Sequence, residues 1–122
     1  MTNRILFFFL ASVMIILTWQ CGAENPFAPE THGPNEIWFQ NGAVTPRTLT
    51  VSRGTRVTWF NKDTDPHAVD SGTPMNPTGE FQSNNLDQGD TFSNTFSTAG
   101  TFRYYCLIHQ NRSAETGTVT VQ

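Results

Sequence analysis

The chain lacks most of the raw material of a crosslinked or nucleic-acid-binding protein. Cysteine occurs only twice in 122 residues, at Cys21 and Cys106, so no disulfide framework organises the fold. A bridge between those two would tie the N-terminal segment into the core and is disfavoured. Basic residues are also scarce: seven Lys and Arg stand against ten Asp and Glu, a formal charge of −3. With no basic stripe for phosphate contacts, nucleic acid is a poor partner. The mild acidity serves solubility and biases the surface toward basic partners. Helical periodicity of useful length is absent, as are repeats and low-complexity tracts.

Long apolar runs are limited to one, Ile5 to Ile16, preceded by Arg4 and ending near Trp19. It has the length of a signal-peptide core and falls short of the ~20 residues of a membrane-spanning helix. Residues 1–23 are therefore expected to direct export, to the periplasm or cell surface. Three endings stay open. Leu17 to Gly22 resembles a lipoprotein box with Cys21 as the lipidated residue; cleavage after Ala23 is the second; a retained anchor is the third. Residues 24–35, rich in Pro and Gly, read as a flexible leash that would tether the domain if Cys21 carries lipid. Without Arg4 the rest has six basic and ten acidic residues, a formal charge of −4. Residues 36–122 are enough for one two-sheet domain with a single core.

Along that domain, short alternating segments are separated by turn residues. Glu36 to Gln40 reads as a first strand, broken by Asn41-Gly42 and Pro46. Residues 48–60 read as a hairpin turning at Ser52 to Thr55. A polar loop, Asn61 to Pro66, leads to a brief strand at His67 to Asp70, and Ser71 to Asn85 reads as a long loop. Asp90 to Phe96 alternates with Phe92 and Phe96 on one face. Thr101 to Cys106 places Phe102, Tyr104 and Cys106 on a shared face, with the thiol at its end. Val119 and Val121 close the chain. About seven strands without helix predict an all-β fold, a small antiparallel β-sandwich or barrel.

Chemistry concentrates in Thr101 to Val121. Cys106 ends a strand and His109 follows three positions later, a pair suited to a soft or borderline metal such as copper or zinc. A solitary thiol in an oxidising compartment is chemically vulnerable, and a metal would protect it. His67, about forty residues upstream, supplies another imidazole. Two imidazoles and a thiolate with a weak axial group describe an electron-transfer copper site.

Taken together, PRTLTVSRGTRVTWFNKD, DPHAVDSGTP, GEFQSNNLDQGDTFSNTFSTAGTFRYYCLIH and TGTVTV resemble a cupredoxin of the plastocyanin and halocyanin type, over nearly all of Glu36 to Val121. The resemblance implies a Greek-key β-sandwich with one type 1 copper ion held by His67, Cys106 and His109. It implies a one-electron carrier and not an enzyme, with His109 nearest the exposed loop edge. Partners would be redox proteins such as cytochromes or copper oxidases, met by a monomer.

Two departures stand out. The family usually places an axial Met shortly before the Gly that matches Gly117, yet no methionine lies between His109 and Gly117. Glu115, Gln110, a backbone oxygen or nothing would take that place; the plainer reading of Glu115 is a solvent-facing loop carboxylate. Ala68 is the second departure, because many members carry a hydrogen-bonding side chain there that ties the ligand loops together. Met75 is a remote candidate ligand, and His32 reads as a solvated leash residue. Asn111-Arg112-Ser113 fits a glycosylation sequon, a coincidence behind a bacterial-type export signal. A copper-storage module, or a copper centre with an open coordination site, is the alternative function.

Overall fold

The computed structural model describes residues 26–122. The expected signal or anchor segment 1–23, Cys21 included, lies outside the described residues. Strands are β1 Glu36–Gln40, β2 Ala43–Thr45, β3 Thr48–Val51, β4 Thr55–Asn61, β5 Val69–Thr73, β6 Asn76–Gln82, β7 Thr91–Phe96, β8 Gly100–Cys106 and β9 Thr116–Val121. A 3-10 turn, Ser113–Glu115, precedes β9. No helix among the described residues is long and apolar enough to cross a membrane.

The expected all-β sandwich is present, with nine strands among the described residues where about seven were expected. A four-stranded sheet runs β2-β1-β4-β7 and a five-stranded sheet runs β3-β9-β8-β5-β6. Most connections cross from one sheet to the other, as a Greek-key sandwich requires. Neither sheet is wholly antiparallel, a correction to the expected pairing. β1 runs parallel to β4, with Ile37 opposite Trp59, and β3 runs parallel to β9, with Leu49 opposite Val119.

Residues 48–60 are not a hairpin. β3 joins the sheet of β9 while β4 joins that of β1, and the turn between them is a corner. Arg53 N–H donates to Gln122 O at the five-stranded sheet, and Gly54 N–H to Phe96 O at the four-stranded one. Alternation showed which side chains face the core, but two strands of like pattern can face it from opposite sheets.

The loop expected over Ser71 to Asn85 contains a second surprise, the β5–β6 hairpin. A register shift between Asp70 and Gly72 marks a bulge, where Ser71 Oγ accepts the N–H groups of Glu80 (2.8 Å) and Phe81 (3.1 Å). Pro77 and Gly79 conceal β6 in the sequence, and both are tolerated because β6 is an edge strand. Only Phe81 of β6 is buried.

Trp59 occupies the centre of the core, fully buried. Its ring centroid lies 5.3 Å from Tyr104, 5.6 Å from Phe92, 5.7 Å from Phe81 and 6.4 Å from Phe96, joining both sheets. Cutting such a side chain to alanine costs about 3–5 kcal/mol. Tyr104 also lies against Gly117, where a Cβ would collide with its phenol. In the leash, His32 is part-buried and meets Trp38 edge-on at 6.2 Å instead of standing free in solvent. Lys62 Nζ sits 4.4 Å over the same indole and 3.2 Å from Glu30.

Candidate metal centre

One end of the sandwich gathers four chemically active side chains from three segments. His67 arrives on the connection from β4 to β5, held by a reciprocal backbone pair with Leu86 (3.0 and 2.7 Å). The carboxamide of buried Asn61 fastens that connection by donating to Asp65 O and Leu86 O, both at 2.8 Å. Phe39 of β1 stacks on the His67 ring, 4.4 Å between centroids and 12° from parallel. Cys106 is the last residue of β8, opposite Val69 in the ladder. His109 lies in the turn that follows, closed by Arg112 N–H donating to His109 O (2.9 Å). Glu115 ends the 3-10 turn, folded inward ahead of β9.

Their donor atoms converge. Cys106 Sγ is 3.6 Å from Nδ1 of both His67 and His109. Glu115 Oε2 is 2.8 Å from His109 Nδ1 and 3.2 Å from His67 Nδ1. One atom from each residue falls within 4.8 Å of all the others. A thiolate, two imidazoles and a carboxylate form a donor set that suits copper or zinc. Side-chain exposure is zero for His67 and Glu115 and 15% for His109, so the set opens to solvent only past His109.

Glu115 therefore does not face solvent. Gln110 turns away from the cluster and donates to Leu107 O at 3.1 Å. Met75 is 95% exposed at the tip of the β5–β6 hairpin and belongs to no part of the centre. Ala68 carries no tying side chain, but its carbonyl does that work, accepting Leu107 N–H at 2.8 Å. The two ligand-bearing segments are joined through backbone instead.

The cupredoxin-like domain family matches residues 9–121. This chain belongs to that family. Plastocyanin from Scenedesmus fuscus is 34% identical over 83 residues, covering 63% of this chain and 84% of its own. A purple cupredoxin from Nitrosopumilus maritimus superposes with a TM-score of 0.63 at 32% identity, over 71% of this chain and 98% of its own. A Cu(I) amicyanin variant gives 0.63 at 25% identity, over 76% and 86%.

In this cupredoxin the electrostatics favour an ionised carboxylate beside a protonated thiol before metal enters. Burial pushes the Cys106 thiol up and the Glu115 carboxylate adds to this, against lowering by backbone groups at Ala68, His109 and Ile108. Burial opposes ionisation of Glu115 too, but Arg112, His109 and Cys106 outweigh it and hold its carboxyl below the ordinary range. Arg112 Nη1 donates to Glu115 Oε1 at 3.0 Å, leaving Oε2 for the cluster. A metal held by these residues would require Cys106 to give up its thiol proton.

Sequence reasoning passed over two residues beside this centre. Asp63, read only as polar loop, meets His67 Nε2 at 3.2 Å. Burial raises its carboxyl, but N–H groups of Gly42 and Asn41, with His67, bring it below the ordinary range. Arg112, noticed only inside a sequon, is the partner of Glu115. A carboxylate four residues before a candidate ligand histidine, and an arginine three before a candidate carboxylate, were the available signals.

Proposed function

We propose that this cupredoxin binds one type 1 copper ion and carries single electrons. His67, Cys106 and His109 would supply two imidazole nitrogens and a thiolate, and Glu115 Oε2 would serve as the fourth donor, where the family's axial Met is missing. The observation that carries this reading is the convergence of those four donor atoms within 4.8 Å of one another. Copper, when bound, alternates between Cu(I) and Cu(II) and so accepts and releases one electron. The protein's part is to hold the donors still. Phe39 fixes the plane of His67, the β5–β8 ladder fixes Cys106, and Arg112 fixes Glu115. His109, with its partly exposed edge, gives electrons their shortest way out.

Export to the periplasm or cell surface completes the reading, supported by Arg4 and the apolar run Ile5 to Ile16. Cytochromes or copper oxidases are the partners this implies, and Cys21 is the tether where it is lipidated. The carboxylate favours one alternative, a copper-storage module, because an anionic oxygen stabilises Cu(II).

Absorption and EPR spectra of the copper-loaded domain test the proposal. An intense thiolate-to-copper band is expected, and Cys106→Ser should abolish it. A wild-type protein without that band ends the type 1 reading. Voltammetry separates the two functions: a reversible couple marks a carrier, and a single retained oxidation state marks storage.

A further inference from the structure

We infer that Asp63 is a positioning residue of the metal centre, holding His67 in the tautomer whose free Nδ1 faces Cys106 and Glu115. The inference rests on the copper reading for its functional consequence and on geometry alone for the bond itself. The ring of His67 is fully buried and offers its two nitrogens in opposite directions. Nδ1 points into the cluster, 3.6 Å from Cys106 Sγ and 3.2 Å from Glu115 Oε2. Nε2 points outward to Asp63 Oδ2 at 3.2 Å, where a carboxylate can only accept. Glu115 Oε2 lies equally far from Nδ1 but takes its shorter contact from His109 Nδ1 at 2.8 Å, whereas Asp63 Oδ2 meets no second histidine, so the proton is assigned to Nε2 and Nδ1 keeps its lone pair.

Asp63 is itself held from behind. Asn41 N–H donates to Oδ1 at 2.6 Å and Gly42 N–H to Oδ2 at 3.1 Å. Both donors belong to the turn between β1 and β2, where Asn41 has φ 56° and Gly42 φ 70°. That left-handed backbone, which Asn and Gly tolerate best, aims two successive N–H groups at one carboxylate. Asp63 N–H is also anchored, donating to Asn61 Oδ1 at 2.8 Å. The β1–β2 hairpin thus reaches His67 twice: Phe39 covers its face, and the turn reaches its edge through Asp63.

A carboxylate accepting the remote N–H of a ligand imidazole makes the other nitrogen a better donor and fixes ring orientation. At this centre it strengthens Cu(II) binding more than Cu(I) and lowers the reduction potential. Asp63 touches no ligand atom of the set, so its role runs through His67.

Long-range 15N–1H NMR of the metal-free wild-type protein tests the bond without copper. A protonated, slowly exchanging Nε2 on His67 is expected; a proton on Nδ1 overturns the inference. Copper competition titrations then compare wild type with Asp63→Asn and Asp63→Glu, with melting curves confirming that each is folded. Asp63→Asn should weaken Cu(II) binding by about 10–100-fold and raise the potential, and Asp63→Glu should recover part of both. Wild-type Cu(II) affinity and potential in folded Asp63→Asn would show that Asp63 only caps the turn. A wild-type chain that takes up no copper overturns the copper reading, and the metal-free spectrum still decides the bond.

Discussion

His109 Nδ1 and Glu115 Oε2 stand 2.8 Å apart, joined across five intervening residues that include no methionine. A carboxylate with no solvent exposure is costly unless its oxygens are paired. Here both are: Oε2 lies against the two histidines and Oε1 receives Arg112. The carboxylate is built into the cluster as firmly as the histidines are. Its charge therefore has to enter any account of which copper oxidation state the centre prefers.

Replacing that anion with a thioether should raise the reduction potential. A unit charge at about 4 Å is worth roughly 4 kcal/mol at an effective dielectric of about 20, and Arg112 already offsets part of it. Glu115→Met is expected to shift the Cu(II)/Cu(I) preference toward Cu(I) by roughly 1–3 kcal/mol. Voltammetry measures the shift, and absorption bands should move in both Glu115→Met and Glu115→Ala. Unchanged spectra in both variants would remove Glu115 from the axial place.

Acid should act on the metal-free protein through the same carboxyl. Glu115 is held below its ordinary value of 4.5 by Arg112, His109 and Cys106 acting against burial. A depressed folded value means that its stabilisation is fully present above about 4.5 and lost as pH falls through the folded value. Melting temperatures of the metal-free wild type should fall more steeply on acidification below pH 4.5 than those of Glu115→Gln. Asp63 acts in the same direction in both proteins and cancels from the comparison. Parallel curves would show that Glu115 contributes nothing to acid sensitivity.

Gly117 is needed for space. Its Cα lies against the phenol of Tyr104, so an added Cβ meets that ring's Cζ and Oη. Tyr104 is buried against Trp59 and has little room to retreat. Gly117→Ala should destabilise the fold by about 1–3 kcal/mol through overpacking, read by denaturant unfolding. Gly117→Ala/Tyr104→Phe should recover part of the loss, since the double variant lacks the hydroxyl. A neutral single variant would mean that the ring relocates freely.

The parts legible in the sequence were those set by neighbours along the chain. Cys106 ends an alternating strand and His109 follows in its turn, so their proximity needed no knowledge of the fold. Placing His67 and Glu115 beside them needed the sandwich. Burial of Glu115 depends on one 3-10 turn, Ser113–Glu115, which has no periodic pattern to announce it. Strand partners were hidden for a related reason. Leu49 and Val51 alternate equally well against β4 or β9, and only the corner at Arg53-Gly54 directs them to β9. Asp63 stayed hidden because the turn that aims it, Asn41-Gly42, lies twenty-two residues away from it in sequence.

Arg112 provides the last test, because its side chain bonds the centre at a single oxygen of Glu115. Its guanidinium donates to Glu115 Oε1 at 3.0 Å and is 45% exposed. Removing it leaves the carboxylate charge uncompensated and both oxygens free to turn toward the donor cluster. Both effects favour Cu(II), so Arg112→Met should lower the potential, opposite in sign to Glu115→Met. Solvent screening of so exposed a partner limits the change to about tenfold in the Cu(II)/Cu(I) ratio. Arg112→Lys keeps the charge without the planar fork and should fall between the two. In a Glu115→Gln background the Arg112→Met shift should shrink, because the charge it compensates is gone. An equal shift in both backgrounds would mean that Arg112 acts on the copper as a distant charge and not through Glu115.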